Sequence, residues 1–224
     1  MDDLTSLFRE FDVLGAFWVN LQLTFWAAIF ALVIGTVLAL MRISPVPSLR
    51  FAGTTYVTLL RNTPLTVIIV FCVLGLWGQL GITLSGDFQQ NFFWLAVLGL
   101  TVYHAAFVCE ALRSGVNTVP VGQAEAARAI GLGFAASARL VILPQAFRGA
   151  VAPLGNVLIA LTKNSTVAAA GSVVETSSLM RTMIEARGDV TVLVFLVFAV
   201  GFVLIVVPIG LVTTALSRRW AVAR

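Results

Sequence analysis

The residues of this chain that could do chemistry are a few ionisable side chains inside long apolar segments. Arg61, Glu110 and Lys163 lie in such segments, and so does the single histidine, His104. Charged groups inside a membrane are costly, so they usually pair with one another or line a transport pathway. No nucleophile with a neighbouring base and no metal-ligand spacing accompanies them, so the sequence predicts neither a catalytic residue nor a metal site.

Two polar stretches, RNTP at residues 61–64 and KNST at residues 163–166, interrupt the apolar segments. A proline breaks a helix because it lacks the N–H donor, and such breaks are tolerated where helices line a cavity. We therefore predict a pathway role for six residues of these stretches: Arg61, Asn62, Thr63, Lys163, Asn164 and Ser165. Simpler explanations stay open, since Arg61 could extend to lipid headgroups and the neutral side chains of residues 164–166 could satisfy backbone groups at a helix break.

Glu110 is the remaining candidate for the pathway. Arg113 follows it by three residues, a spacing at which side chains of one helix form an ion pair. Tyr103, Phe107 and Glu110 also share a helical face, so Glu110 could instead reach a cavity or Arg61. Both roles stay open, whereas His104 is expected to be a hydrogen-bonded packing residue.

The composition identifies the environment of these residues. Of the 224 residues, 59% are hydrophobic and 11% are charged, whereas soluble domains average about 45–50% apolar and about 25% charged residues. The chain is therefore predicted to be an all-α, polytopic membrane protein. Its formal net charge of +4 does not require a nucleic-acid partner, because membrane proteins concentrate Lys and Arg in their cytoplasmic loops.

Five segments are long and apolar enough to cross a bilayer, which takes about 20 residues. They are predicted at residues 17–41, 54–77, 92–112, 151–174 and 191–216. The second and fourth contain the two polar stretches and are weaker by hydropathy alone. In the first, Ala27, Ala31, Gly35 and Ala39 recur every four residues, which would let another helix approach closely unless the pattern is chance in an alanine-rich helix.

The charges between the segments predict the orientation. Cations follow the first segment, surround residues 114–147 and end the chain: Arg42, Arg50, Arg113, Arg128, Arg139, Arg148, Arg218, Arg219 and Arg224. The other connections are mostly acidic: Asp2, Asp3, Glu10, Asp12, Asp87, Glu175, Glu185 and Asp189. Because cytoplasmic loops carry the excess of Lys and Arg, we predict the N-terminus outside and the C-terminus in the cytoplasm.

The predicted cytoplasmic loop at 114–147 is polar and rich in alanine. We expect a short helix at 121–130, a turn at the two glycines of 131–133, and a second helix at 134–143 that Pro144 stops. The alanines leave little bulk, while Ile130, Leu132 and Phe134 protrude. This pattern indicates either a docking element for another protein or an amphipathic hairpin on the membrane surface.

The same loop resembles the EAA loop of membrane subunits of ATP-binding-cassette (ABC) importers. The matching residues are Gln123, Glu125, Ala126, Ala127, Gly131, Leu143 and Pro144. Val141 departs mildly from the family, which often has isoleucine there. The stretches RNTPLT at 61–66, VCEALRSGV at 108–116 and LTKNST at 161–166 resemble the polar-amino-acid branch, in the same order along the chain. The overall similarity is to glutamate-uptake permeases of actinobacteria.

The resemblance implies a type I importer permease fold in one transmembrane domain, residues 1–224, of the cell membrane. It implies that the EAA loop, about 114–147, forms the coupling helices that dock on an ATPase. Glu125 would orient the loop, and Gly131 would form its turn. The implied partners are a dimer of ATPase subunits, a second and homologous permease forming a heterodimer, an extracytoplasmic binding protein, the amino acid and the bilayer, without nucleic acid.

The resemblance implies a transport subunit rather than an enzyme. The chain has no G-x-x-x-x-G-K-[ST] loop, so ATP and magnesium are expected on the partner and no cofactor on this chain. Arg61 and Lys163 would suit the two carboxylates of glutamate, and Glu110 could take the amino group if it is not committed to Arg113. Glutamine and aspartate remain alternative cargoes. An ion-coupled secondary transporter would explain the membrane charges but not the EAA loop.

Overall fold

The computed structural model describes the backbone of residues 2–220 and the side chains of residues 4–220. Over this range the secondary structure is helical, with no β-strand. Arg224 and the side chains of Asp2 and Asp3, which contributed to the predicted charge bias, lie outside the described residues. The all-α prediction is confirmed for the part of the chain that the structure describes.

The first helices are α1 (Asp2–Glu10) and the long α2 (Val13–Ile43). The carboxylate of Asp12 accepts the N–H of Gly15 at 2.8 Å and thereby caps the start of α2. Ala31 and Gly35 are buried, and a Cβ at Gly35 would lie 2.5 Å from the side chain of Val108. The close helix approach predicted from the small residues of this segment is therefore confirmed.

The predicted second span is not one helix. It is divided into α3 (Pro47–Asn62) and α4 (Leu65–Val70), and α4 continues as a π-helix over Phe71–Gln79. Thr63 is extended, with φ −100° and ψ 131°, because the ring of a following proline disfavours the helical conformation. The predicted break at Pro64 is confirmed, and the helix that carries Arg61 begins at Pro47, seven residues before the span predicted near 54–77.

Helix α5 (Phe88–Val116) corresponds to the third predicted span. Asp87 precedes it, and its carboxylate accepts the N–H of Gln90 at 2.8 Å. Leu95, Leu100 and Leu112 are fully buried. Gly115 permits a close approach near the end of the helix, since a Cβ there would collide with the backbone carbonyl of Ala146.

The next helices are α6 (Val121–Ala129) and α7 (Phe134–Ser137), followed by a π-helix over Ala138–Ile142 and α8 (Leu143–Asn164). Pro144 does not stop a helix, so that prediction is wrong. The N–H of Leu143 bonds to the carbonyl of Ala138, five residues back, and this wider turn admits the proline. The amide of Gln145 donates to the carbonyl of Val141 at 2.9 Å.

The fourth predicted span therefore has different limits from those expected at 151–174. Its helix begins earlier, passes through Pro153, and becomes a 3-10 helix over Ser165–Gly171. Ser172 then adopts a left-handed conformation with φ 63°. The helices that follow are α9 (Thr176–Ala186), a 3-10 turn at Gly188–Val190, and α10 (Thr191–Trp220), which contains Pro208.

Two compact units make up the chain. The first comprises Met1–Ala28, Pro64–Thr101 and Ala160–Pro208, and the second comprises Ile29–Thr63, Val102–Ile159 and Ile209–Arg224. The core of the first unit includes Leu7, Met183 and Phe198. The core of the second includes Leu38 and Leu112. Each unit is described separately below.

Length and composition make the chain a multi-pass membrane protein. Three helical segments, Val13–Ile43, Phe88–Val116 and Gly188–Trp220, are long and apolar enough to cross a bilayer. The number rises to five if each of two bent helix pairs forms one span. The two bent pairs coincide with the two predicted spans that carry polar stretches.

Candidate functional site

Three arginines of the second unit surround Glu110, and we call these four residues the arginine cluster. The Oε1 atom of Glu110 accepts a hydrogen bond from Nη1 of Arg42. Its Oε2 atom accepts bonds from Nε of Arg113 at 3.0 Å and from Nη2 at 2.9 Å. Nη1 of Arg61 lies 3.5 Å from Oε1. The predicted Glu110–Arg113 pair is confirmed, and Glu110 also reaches Arg61.

Helix ends bring the arginines of the cluster together. Arg42, Arg61 and Arg113 lie in the last turns of α2, α3 and α5. The C-terminal turn of a helix attracts cations, because its unsatisfied carbonyls carry a partial negative charge. Sequence reasoning assigned Arg42 to the charge of a loop and missed its contact with Glu110. Its position in the last turn of an apolar helix is the signal that could have indicated it.

The four side chains differ in exposure. Arg42 is 15% exposed and Glu110 is 21% exposed, whereas Arg61 is 48% exposed. The guanidinium of Arg61 also lies over the ring of Phe107, 5.7 Å from its centroid, a distance at which a cation is attracted to an aromatic face. Arg61 therefore has an accessible guanidinium with one weak ionic contact and one aromatic contact.

Asn62 and Thr63 act on the backbone of α3. The amide of Asn62 donates to the carbonyl of Thr58 at 2.9 Å, and the hydroxyl of Thr63 donates to the carbonyl of Leu59 at 2.9 Å. These side chains satisfy carbonyls near the end of a helix that Pro64 does not allow to continue. Sequence reasoning missed this structural role of Asn62 and Thr63 at the helix break.

The second polar stretch lies in the first unit, at the end of α8. Lys163 is exposed and forms no ion pair with the side chains that the structure describes. The hydroxyl of Ser165 donates to the carbonyl of Thr162 at 2.8 Å, and that of Thr166 donates to the carbonyl of Lys163 at 2.8 Å. The hydroxyls thus bond to backbone carbonyls where the α-helix changes to a 3-10 helix. These bonds do not explain why a lysine stands at position 163.

A buried polar group that sequence reasoning missed adjoins this stretch. Glu175 is fully buried and accepts bonds from the amide of Asn20 at 3.1 Å, the hydroxyl of Thr176 at 3.0 Å, and the backbone N–H groups of Ser177 and Ser178. Asn20 also donates to the hydroxyl of Ser165 at 2.8 Å. The sequence placed Glu175 in an outer loop, although the spacing of Glu175 and Ser178 is that of a capping box.

Residues 121–137 form a helical hairpin, and the predicted order of helix, turn and helix is confirmed, although the second α-helix ends at Ser137, where a π-helix begins, and not at 143. The N–H of Leu132 bonds to the carbonyl of Ala127 and that of Gly131 to Arg128, both at 3.0 Å. This pair of bonds defines a Schellman turn, which requires a left-handed residue, and Gly131 supplies it with φ +85°. Gly133 has a negative φ, which any residue can adopt. Of the two glycines, Gly131 is therefore the one that the turn requires.

The hairpin exposes both its polar motif and several large apolar side chains. Gln123, Glu125 and Ala126 are exposed, whereas Ala127 is buried. Val121 is 72% exposed and Ile130 is 77% exposed. Leu143 and Pro144 lie in the first turn of α8. This is an exposed surface with small and apolar residues, as a docking element requires.

The fold and the sequence together define the class of this protein. The chain belongs to the family described as binding-protein-dependent transport system inner membrane components, whose family model matches residues 31–222. It is therefore a multi-pass membrane component of a transport system.

Two individual relatives show which transport proteins this chain resembles. The chain is 50% identical over 218 residues to the glutamate transport system permease protein GluC of Corynebacterium glutamicum, covering 95% of this chain and 96% of the relative. It is 37% identical over 162 residues to the arginine transport system permease protein ArgU of that organism, covering 67% of this chain and 50% of the relative.

Solved structures share the fold. A crystal structure of an amino acid ABC transporter with histidines has a TM-score of 0.80 and 25% identity, covering 96% of this chain and 97% of that chain. The described chain therefore has the type I ABC importer permease fold that the resemblance implied.

Proposed function

We propose that this chain is a permease subunit that moves glutamate into the cytoplasm, driven by ATP hydrolysis in a partner subunit. The observation that carries the proposal is the 50% identity to a glutamate permease over nearly the full length of both chains. The similarity to the arginine permease is lower and covers half of that relative. Glutamine and aspartate are the alternative cargoes.

We further propose five transmembrane spans, with the N-terminus outside and the C-terminus in the cytoplasm. This count takes each bent helix pair as one span. The loop charges support it, because with five spans all the arginine-rich connections fall on one side of the membrane. The family membership agrees with insertion in the cell membrane.

The proposed role of the hairpin is to dock on the ATPase. Its exposed Glu125 and Ala126 and its apolar Ile130 support this role. The second helix of the hairpin, α7, continues without a loop through α8 to Gly171, so a displacement at the docking surface would be transmitted along this helical run. The proposed coupling residues are Gln123, Glu125, Ala126, Ala127, Gly131, Leu143 and Pro144.

The proposed complex contains a dimer of ATPase subunits, a second and homologous permease, and an extracytoplasmic binding protein. ATP and magnesium are proposed to bind to the ATPase, and this chain is proposed to hold no cofactor. The chain would then supply half of the pathway and no covalent chemistry.

For the pathway we propose that Arg61 and Lys163 bind carboxylates of the cargo, each in its own unit. The accessible guanidinium of Arg61 and the exposed ammonium of Lys163 support these roles. Asn62, Thr63, Asn164 and Ser165 would shape the two helix breaks. Both oxygens of Glu110 accept bonds from arginines, so we assign it to ordering the arginines rather than to the amino group.

Uptake by the full complex tests the cargo. We expect proteoliposomes with the partner ATPase, the second permease and the binding protein to accumulate radiolabelled glutamate in preference to arginine. Arg61→Gln and Lys163→Gln should reduce this uptake, whereas Arg50→Gln, in the first turn of α3, the helix that carries Arg61 in its last turn, should not. Preferred uptake of arginine, or full glutamate uptake by both variants, would refute the proposal.

A further inference from the structure

Two arginines of the arginine cluster approach the same oxygen atom. Nη1 of Arg42 donates to Oε1 of Glu110, and Nη1 of Arg61 lies 3.5 Å from that atom. A hydrogen bond between nitrogen and oxygen usually spans about 2.7–3.2 Å, so Arg61 lies beyond normal bonding distance. Arg113 occupies the other oxygen, Oε2, with two bonds. Arg42 thus holds the position on Glu110 that Arg61 would otherwise take.

The surroundings of Arg42 hold it in this place. Its side chain is 15% exposed, and its Nη1 lies 4.0 Å from the sulfur of Cys109. Its stem packs over Gly53 of α3, where a Cβ would lie 3.0 Å from Cγ of Arg42. Because packing already restricts the aliphatic part of this side chain, Arg42 loses little further conformational freedom when its guanidinium bonds to Glu110. This favours Arg42 over Arg61 as the partner of Glu110.

Arg61, by contrast, is held loosely. Its side chain is 48% exposed, and its other contact is the face of Phe107. A ring face attracts a cation without fixing the direction of its N–H groups. Those groups therefore stay available for a planar anion, and a carboxylate can accept two parallel bonds from a guanidinium.

We propose that Arg42 is a positioning residue for the cargo: by donating to Oε1 of Glu110, it keeps Arg61 in a longer ion pair with that atom, so that the guanidinium of Arg61 stays available to a carboxylate of the transported amino acid. The inference rests on the proposed function, in which Arg61 contacts the cargo. It assigns Arg42 a part in transport although Arg42 itself does not touch the amino acid.

Removal of Arg42 would then act through Glu110. In Arg42→Gln, Oε1 loses its charged donor, and Arg61 can shorten its 3.5 Å ion pair with Glu110 to a hydrogen bond. In the double variant Arg42→Gln/Glu110→Gln, no carboxylate remains to capture Arg61, and the cluster keeps the formal charge it has in the native chain. In Arg42→Lys, a cation remains near Oε1, so Arg61 should stay free.

The test measures two quantities on the full complex in proteoliposomes: ATP hydrolysis stimulated by the loaded binding protein, and the number of glutamate molecules moved per ATP. We expect Arg42→Gln to keep the stimulated hydrolysis but to lower glutamate moved per ATP about tenfold, the scale of losing one charge-assisted hydrogen bond from a binding site. The double variant and Arg42→Lys should restore the native ratio. Arg50→Gln is the matched control for the loss of an arginine.

The rescue distinguishes positioning from a merely structural role. A native ratio in Arg42→Gln, or a low ratio that the double variant does not restore, would overturn the inference. If Arg42→Gln alone does not assemble, the double variant carries the test: assembly with a native ratio supports the inference, and failure to assemble assigns Arg42 to the structure alone and overturns it.

If the proposed glutamate transport is wrong, the wild-type complex itself gives a different result from the one expected. The wild-type complex would then move another amino acid and not glutamate. Because every amino acid brings a carboxylate for Arg61, the same variants are then measured with the amino acid that is transported. Restoration of the native ratio by the double variant in that series supports the inference, and its absence overturns it.

Discussion

Glu175 is a carboxylate buried in the first unit among neutral donors. Its two oxygens accept bonds from Asn20, Thr176, Ser177 and Ser178. Asn20 also accepts the backbone N–H of Thr176 at 3.0 Å and donates to Ser165. A buried charge is tolerated only when hydrogen bonds replace the water it lost. The single amide of Asn20 therefore joins α2, the start of the 3-10 helix and the start of α9.

We predict that Asn20→Ala destabilises the chain. The substitution leaves Glu175 short of one donor and the buried N–H of Thr176 without its acceptor, so the free energy of unfolding should fall by about 2–3 kcal/mol. Chemical denaturation of the purified chain in detergent measures this change. The matched control is Thr24→Val on the same helix, because the buried hydroxyl of Thr24 has no partner among the described residues, and its removal should cost little. An unchanged denaturation midpoint for Asn20→Ala would contradict the prediction.

At the scale of elements, prolines act differently according to the turn that precedes them. Before Pro64, the extended Thr63 ends α3, and its hydroxyl bonds to the carbonyl of Leu59. Before Pro144, a π-helix accommodates the missing donor and the helix continues. The same residue type therefore ends one helix and lies within another, because a wider turn relieves the clash between the ring and the preceding carbonyl.

The turn of the hairpin depends on the left-handed conformation of Gly131, which a substitution can test. Gly131→Val requires a β-branched residue at φ +85°, a conformation that costs an ordinary residue about 1–2 kcal/mol and a branched one more. We expect the variant to insert normally but to lose ATP hydrolysis stimulated by the loaded binding protein, since the turn that carries the docking surface is distorted.

Gly122→Ala is the control for the hairpin. Gly122 lies in α6 and has no positive φ, and a Cβ there meets no described atom within 4 Å. The alanine should therefore leave coupling intact. Wild-type stimulation of hydrolysis in Gly131→Val, at equal amounts of assembled complex, would show that the turn is not needed for coupling.

At the scale of the whole molecule, the proposed orientation places residue 86 outside and residue 122 in the cytoplasm. Both are glycines at which a Cβ meets no described atom within 4 Å, so cysteines there should react without disturbing the fold. In a background in which Ala replaces the buried Cys72 and Cys109, we expect an impermeant maleimide to label Gly86→Cys in intact cells. Gly122→Cys should be labelled only after the membrane is opened, and the reverse pattern would refute the orientation.

The sequence alone determined those features that depend on nearby residues. Apolar length identified the membrane helices, the glycines located the turn of the hairpin, and the spacing of Glu110 and Arg113 predicted their pair. Each of these follows from helical periodicity or from the conformational freedom of single residues. The EAA motif, together with RNTPLT, VCEALRSGV and LTKNST in order along the chain, led to the correct family, because each of these motifs consists of residues that are close in the sequence.

Only the tertiary structure decided which distant side chains meet. Arg42 and Glu110 are 68 residues apart, and Asn20 and Glu175 are 155 residues apart, so no local pattern pairs them. The continuation of the helix through Pro144 likewise depends on a π turn that proline propensity does not predict. In each case a group that looks unfavourable in the sequence, a loop acid, a loop arginine or a helix-breaking proline, is accommodated by a partner or a turn that its own residue type does not predict. The reason is that most buried polar groups bond to whichever partner the packing brings near.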